Sequence, residues 1–438
     1  MTDAADPEQA AGPRLAGRDG ALADAAARAQ SLHAGALRLK ALLDRPLASY
    51  HIVLGSSLLL LGVGLMMVLS TSTAYDLDQT PPLPAYSMFE KQLLGAAVGL
   101  VLMGVAAKSP PRLFRAFAYP FLLAAIAGLV LVLLFGHEIY GANRWLSVAG
   151  TQVQPSEFAK LALVLWGADL LARKDKLGQL TDWRHILVPL LPAAAVMCVL
   201  VMAGNDLGTT FLLLVIFMSL LWVIGAPAKL LVGMLALLAF ALLMLVAVHP
   251  YELARLTGFL SSQSPSCRSQ NCYQLVEGKD ALGSGGLFGV GSGASRAKWG
   301  FVPNSPTDWI FSILGEELGL VGTLCVVVLY GALAYGGLRI ARRAPDTFAR
   351  LAAGAIAVWL TAQALVNMGG VLGLLPITGV PLPLISAGVS SLIVTLAALG
   401  MLLSFARSEP GAAHALAAAG PGLPRRLLGW LGVEHRLR

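Results

Sequence analysis

Ten stretches of this chain run for fifteen to thirty residues with few charges, and that pattern constrains the fold more than anything else in the sequence. They lie at 50–71, 93–107, 116–135, 157–172, 186–203, 207–225, 229–249, 309–338, 351–373 and 387–405. A helix crosses a bilayer with about 20 apolar residues. With 57% of residues hydrophobic and 13% charged, against roughly 25% charged in a soluble domain, the chain is expected to be an all-α polytopic membrane protein with ten transmembrane helices. The 93–107 run reaches spanning length only if Tyr86 to Gln92 join it. Only Gly204, Asn205 and Asp206 separate the fifth run from the sixth, and a merger there would leave an odd count.

Basic residues test the count. With ten spans and an inner N-terminus, 23 of the 31 Lys and Arg fall on the inner side, which is the cytoplasmic excess that sets topology. Both termini are therefore expected in the cytoplasm, with the split at Asp206 kept and a large extracytoplasmic loop, about 250–307, between helices 7 and 8. The net charge of +7 reflects sidedness and anionic headgroups and calls for no nucleic acid. Residues 1–49 and 406–438 read as cytoplasmic tails around a 50–405 membrane domain. The stretch from Pro424 to Leu431 has the alternative of a short basic amphipathic segment. No cleavable signal is apparent.

Two outer segments stand out, 136–155 and 250–307. The longer holds Cys267 and Cys272, whose place in an oxidising compartment permits a disulfide, with two free thiols as the alternative. It also holds the glycine-rich run 283–295 followed by Arg296, Lys298, Trp299 and Phe301. Consecutive glycine N–H groups with nearby cations can cradle a phosphate, and a plain surface loop is the competing reading. The run matches no nucleotide-binding fingerprint, so a phosphorylated lipid headgroup suits an outer loop better.

Acids within apolar runs are costly unless paired or facing water. Glu157 and Lys160, three apart, can pair on one helical face, as Asp169 can with Arg173. Asp206, at the break, can cap the next helix with Thr209 and Thr210 close by. Asp308 follows the basic glycine-rich loop and opens the run beginning Trp309-Ile310-Phe311; it is either an N-cap or a general base beside a phosphate site. Glu316 lies about 12 Å further along the helix, too deep to share that proton.

These residues resemble a known family. Gly141-Ala142-Asn143-Arg144-Trp145-Leu146 with Gln154-Pro155-Ser156-Glu157-Phe158-Ala159-Lys160, then Asp206-Leu207-Gly208-Thr209, 281–291, Thr307-Asp308-Trp309-Ile310-Phe311, Gly315-Glu316-Glu317-Leu318-Gly319 and 375–386 follow the motif order of the SEDS proteins (shape, elongation, division and sporulation). The resemblance covers roughly 50–405. Gly293 to Trp299, Ser386-Ala387-Gly388 and Ala406 to Pro410 resemble the division-septum branch more than the elongation branch. Many relatives have His where Pro306 stands, Phe at Trp309 and a second Gly at Val389.

The resemblance implies a ten-span peptidoglycan glycosyltransferase of the bacterial cytoplasmic (inner) membrane, which polymerises lipid II on the outer face at the division septum. It implies Asp308 as the catalytic carboxylate, and Arg144, Arg296 and Lys298 as candidates for the lipid diphosphate. Glu157, Lys160, Asp206 and Glu316 would line or support the cavity. A divalent cation (Mg2+ or Mn2+) with unknown ligands would assist. A class B penicillin-binding protein of the FtsI type, with other divisome membrane proteins, would be partners. A sugar hydroxyl attacking an anomeric carbon as diphosphate leaves needs one base and a stabilised leaving group. The competing classes are a lipid II flippase, favoured by intramembrane acids and the break at Asp206, and a scaffold that recruits a partner enzyme.

Overall fold

A computed structural model describes residues 47–79, 82–139, 142–148, 151–179, 183–248 and 273–412. Cys267, Cys272, most of both tails and the first part of the long outer loop lie outside the described residues. Each apolar run falls on a helix: α1 (Ala48–Asp78), α2 (Ser87–Lys108), α3 (Pro111–Phe135), α4 (Pro155–Lys176), the pair α5 (Trp183–Leu187) and α6 (Leu190–Ala203), α7 (Leu207–Ile224), α8 (Ala228–Val248), α10 (Ile310–Arg343), α11 (Thr347–Val371) and α12 (Val389–Arg407). Helix α9 (Tyr273–Ser284) lies within the long loop. Tyr86 stands at the N-cap of α2, so the short second run does extend as expected.

Among the described residues, eight helical segments are long and apolar enough to cross a membrane, and the chain is a helical polytopic membrane protein. Helix α4 fails that composition test because of its charges, yet it is buried on every face from Pro155 to Ala172. It packs between α3, α7 and α11, so its polar groups meet protein rather than lipid. Helix α8 is a shorter apolar helix over its described side chains. Helices α2 and α12 pack closely because a glycine on each leaves room for the residue facing it on the other. A Cβ on Gly99 would lie 2.5 Å from Leu396, and one on Gly400 would lie 2.5 Å from the Met103 carbonyl.

The 136–155 segment is not an open loop. It forms β1 (His137–Ile139), β2 (Ala142–Val148) and β3 (Thr151–Val153) in an antiparallel meander, a small departure from the all-α expectation. The break between α6 and α7 forms as expected. Asp206 caps α7 by accepting from the Thr209 N–H at 3.0 Å.

Helix α10 is interrupted at Gly319, whose φ of 67° puts it in the left-handed region. The glycine-rich run fills the interruption. Val290 N–H donates to the Glu316 carbonyl (2.9 Å) and Gly291 N–H to that of Glu317 (3.1 Å), while Leu320 and Val321 N–H donate to the carbonyls of Gly286 (2.9 Å) and Leu287 (3.2 Å). Four backbone groups freed by the break are thus satisfied inside an apolar bundle, where each would otherwise cost several kcal/mol. Within the run, the N–H groups of Gly286, Gly289, Val290, Gly291 and Ala294 are committed to protein carbonyls, which gives the run a structural role.

Beyond α12, Glu409 is buried, 4.0 Å from Arg343. Burial pushes its carboxyl above the usual range, and the nearby Ser49 hydroxyl, Arg343 and Arg339 only partly offset this. A raised acid favours the protonated fold, so ionisation at neutral pH costs stability and the cost disappears as pH falls through the folded value. Glu409→Gln is expected to melt higher than the parent at pH 7.5, with the advantage shrinking toward pH 5 in thermal scans.

Candidate functional site

Connectivity places the C-termini of α3, α6 and α11 and the N-termini of α4, α7, α10 and α12 at one end of the bundle. Asp308 sits there, half-buried, just before α10. The N-cap position of α10 is Trp309, which makes no side-chain cap hydrogen bond, and Asp308 stands one residue before it. Asp308 lines a small cleft with Asn367, Gly370 and the segment 377–380.

The surrounding hydrogen bonds fix the Asp308 backbone from two sides. Asn367 Nδ2 donates to the carbonyls of Asp308 (2.9 Å) and Val380 (2.8 Å). Since both partners are acceptors, the amide nitrogen must face them and Oδ1 must point away. That Oδ1 is buried and has no partner among the described residues. Ser386 Oγ donates to the Thr307 carbonyl (2.6 Å) and accepts from Leu382 N–H (2.7 Å), and Ala387 N–H donates to the Pro306 carbonyl (2.9 Å). The Trp309 and Val389 departures are accommodated by glycines. A Cβ on Gly278 of α9 would lie 2.4 Å from the Trp309 ring, and one on Gly95 would lie 3.0 Å from Val389.

One layer deeper, Lys160 is fully buried. Its Nζ donates to Glu157 Oε1 (2.9 Å) and Gln363 Oε1 (3.0 Å) and lies 5.1 Å from the Trp359 ring centroid. Gln363 Nε2 passes the connection to the Pro381 carbonyl (2.9 Å). Trp359, Gln363 and Asn367 are spaced by four, so one face of α11 carries a polar ladder from Lys160 up to Asp308. Sequence reasoning had weighed acids alone. An Asn and a Gln inside an apolar run were the signal it left unused.

Lys160→Met would leave Glu157 buried without its cation, expected to cost about 3–5 kcal/mol. Lys160→Met with Glu157→Gln removes both charges and should recover most of that loss. Melting of the detergent-solubilised protein by size-exclusion fluorescence reads both.

The other named residues separate into two groups. Asp206, besides its cap, accepts from Thr209 Oγ1 (2.8 Å) and Gln154 Nε2 (3.1 Å), with Arg144 at 3.8 Å; Arg144 also donates to the Asn205 carbonyl. This cluster abuts the Asp308 cleft, because a Cβ on Gly208 would lie 2.6 Å from the Thr378 carbonyl and 2.5 Å from Val380. Glu316 accepts from Ser295 Oγ, from Arg296 N–H (3.1 Å) and from Ala297 N–H (3.3 Å), anchoring the outer loop. Lys298 is turned inward: its Nζ lies 3.3 Å from Glu317 and donates to Ser70 (3.0 Å) and the Gly293 carbonyl (2.7 Å). Arg296 is exposed. At the opposite end, Asp169 pairs with Arg173 (2.7 Å) as expected and also with Arg115 (2.9 Å).

Three comparisons bear on this arrangement. Residues 51–410 match the family profile of the FtsW, RodA and SpoVE cell cycle proteins. The chain is 40% identical over 395 residues to a probable peptidoglycan glycosyltransferase FtsW of Mycobacterium tuberculosis, covering 89% of this chain and 74% of that one. It is 34% identical to the stage V sporulation protein E of Bacillus subtilis, covering 80% and 95%. Among solved structures, it superposes with a TM-score of 0.66 and 27% identity on a chain from work on coordinated polymerization and crosslinking by a peptidoglycan synthase complex, covering 81% and 96%. It also superposes on the rod shape determining protein RodA of Thermus thermophilus, with a TM-score of 0.59, 28% identity and coverage of 82% and 96%. The motifs, the fold and these matches agree, and the chain belongs to the SEDS family of FtsW, RodA and SpoVE cell cycle proteins.

Proposed function

We propose that this protein is a peptidoglycan glycosyltransferase that polymerises lipid II on the outer face of the bacterial cytoplasmic membrane, in the septal role its FtsW-named relatives suggest. One observation carries the reading. Asp308, just before α10, lines a cleft at the end of the bundle, and Asn367 of the same cleft holds its backbone carbonyl. The ten helical runs and the basic-residue count support ten spans with both termini cytoplasmic, which puts that end outside.

In this reading Asp308 takes the proton of the attacking sugar hydroxyl in a single inverting displacement. Asn367 and Ser386 hold its backbone, and exposed Arg296 meets the departing diphosphate. Arg144 and Lys298 already face carboxylates and contribute mainly to the local frame. The described residues contain no cluster of three His, Cys, Asp or Glu suited to a metal. A magnesium-type ion needs only one or two carboxylates beside substrate phosphates. The unpartnered Asn367 Oδ1 beside the cleft is a hard oxygen donor and would join substrate phosphate oxygens in holding it, with the Asp308 carboxylate kept as the base. Such an ion would offset charge on the leaving diphosphate. A class B penicillin-binding protein of the FtsI type is the expected partner, in keeping with the solved relative from a synthase complex.

The flippase alternative drew on intramembrane acids and the break at Asp206, and that break and the interruption of α10 are both filled. Asp206 caps its own helix, and residues 286–291 occupy the gap at Gly319. Purified protein in vesicles loaded with lipid II separates the readings: glycan polymer in the presence of Mg2+ and the partner supports the enzyme. Transbilayer movement of lipid II with no polymer under the same conditions would overturn it.

A further inference from the structure

The turn that fastens residues 306 and 307 is itself gripped from α2. Gln92 of that helix is 2% exposed. Its Nε2 donates to the Ser386 carbonyl (3.2 Å), and its Oε1 accepts from Gly388 N–H (3.0 Å). A carbonyl only accepts and a backbone N–H only donates, so the two partners assign both ends of the amide. Methionine, of similar length, offers neither bond.

Both bonds end where the hold on Asp308 begins. The Ser386–Ala387 peptide bridges α2 to residue 306: its C=O meets Gln92, and its N–H, on the opposite edge of the trans unit, donates to the Pro306 carbonyl (2.9 Å). Ser386 Oγ takes the Thr307 carbonyl (2.6 Å), and Asn367 takes the next one, that of Asp308 (2.9 Å). Three successive carbonyls are thus held, two of them by the turn that Gln92 clamps. Loss of Gln92 would strand a buried carbonyl and a buried N–H at about 1–3 kcal/mol each. A turn that shifts to repair them carries residues 306 and 307 along.

We infer that Gln92 is a positioning residue for Asp308, acting from a separate helix through the 386–388 turn. The inference rests on the glycosyltransferase reading, with Asp308 as base, and adds a residue that does not line the Asp308 cleft. Misplacing a reacting group by about 1 Å can cost about 10²-fold in rate. Because Gln92 works on the base and not on the substrate, the loss belongs in kcat.

Two variants and two readouts test this on the full chain with its class B partner in nanodiscs. Gln92→Met keeps the length and removes both hydrogen bonds, while Gln92→Asn keeps the amide and withdraws it by one methylene. The kcat of lipid II polymerisation should fall at least about ten-fold in Gln92→Met and about three-fold in Gln92→Asn, with KM within about two-fold of the parent's. Hydrogen–deuterium exchange should quicken in peptides covering 303–311 and 384–390 and stay as in the parent over 339–350, at the other end of α10.

Where Gln92→Met does not fold, Gln92→Asn decides; if neither folds, Gln92 is structural and the inference falls. A parent-like kcat, or unchanged exchange over 303–311, in every variant that folds overturns it. So does a raised KM at parent-like kcat, which would put Gln92 in substrate binding. A parent that makes no polymer defeats the glycosyltransferase reading, and quickened exchange over 303–311 then still upholds the grip of Gln92 on that segment. Polymer from the parent with parent-like variants defeats the Gln92 inference alone.

Discussion

Asp308→Asn is expected to lower lipid II polymerisation by about 10²–10⁴-fold while leaving the melting temperature close to the parent's. The two halves of that expectation have different origins. Asparagine keeps the shape of the side chain and cannot accept a proton at neutral pH, so the chemical step loses its base. The structure fastens residue 308 through its backbone carbonyl, held by Asn367 Nδ2 at 2.9 Å, and through Thr307 and Pro306 on either side of the Ser386 turn. Those bonds survive the substitution. A variant that polymerised like the parent would remove Asp308 from the mechanism, and one that failed to fold would show that its carboxylate is structural.

Gly289→Ala is expected to be the most damaging single change in the outer loop. Gly289 has φ of 80°, and an added Cβ would lie 2.1 Å from the Glu317 carbonyl oxygen and 2.4 Å from its carbon. Neither atom can move without reopening the interruption at Gly319, which would expose the carbonyls of Glu316 and Glu317 and the N–H groups of Leu320 and Val321 in apolar surroundings. Folded yield after detergent extraction should fall to a small fraction of the parent's. Gly293→Ala is the internal control. It has the same φ of 80° with no atom within 4 Å of the added Cβ, so it pays only the left-handed backbone penalty of about 1–2 kcal/mol. Equal losses at the two positions would mean that backbone strain matters and the filled break does not.

The contrast between these loop glycines shows what the sequence could reveal. Interactions three or four residues apart were legible: the Glu157–Lys160 and Asp169–Arg173 pairs and the Asp206 cap all form as helical geometry demands. So were the helices themselves, because apolar length is a local property. What escaped was long-range. Lys298 reads as a free cation beside a glycine-rich loop, and only the folded chain brings Glu317 and Ser70 to it. Asp169 takes a second arginine from α3, 54 residues away. The glycine-rich run reads as a phosphate cradle because its N–H groups are visible in sequence, while the acceptors of Val290 and Gly291, across the broken α10, are not. Asn367 and Gln363 show a different failure: the polar residues were in plain view, and their importance came only from the carbonyls they meet.

The central claim is that Asp308 acts as a base in one displacement at the outer end of the bundle. The anomeric configuration of the bonds formed tests it most directly. Lipid II with an α-linked diphosphate, polymerised by the purified protein with its partner and digested to disaccharide units, can be examined by NMR at each newly made linkage. The account expects β linkages throughout, with none formed above background by Asp308→Asn. Newly formed α linkages would mean two successive displacements and a covalent sugar intermediate, and would contradict the single-base mechanism.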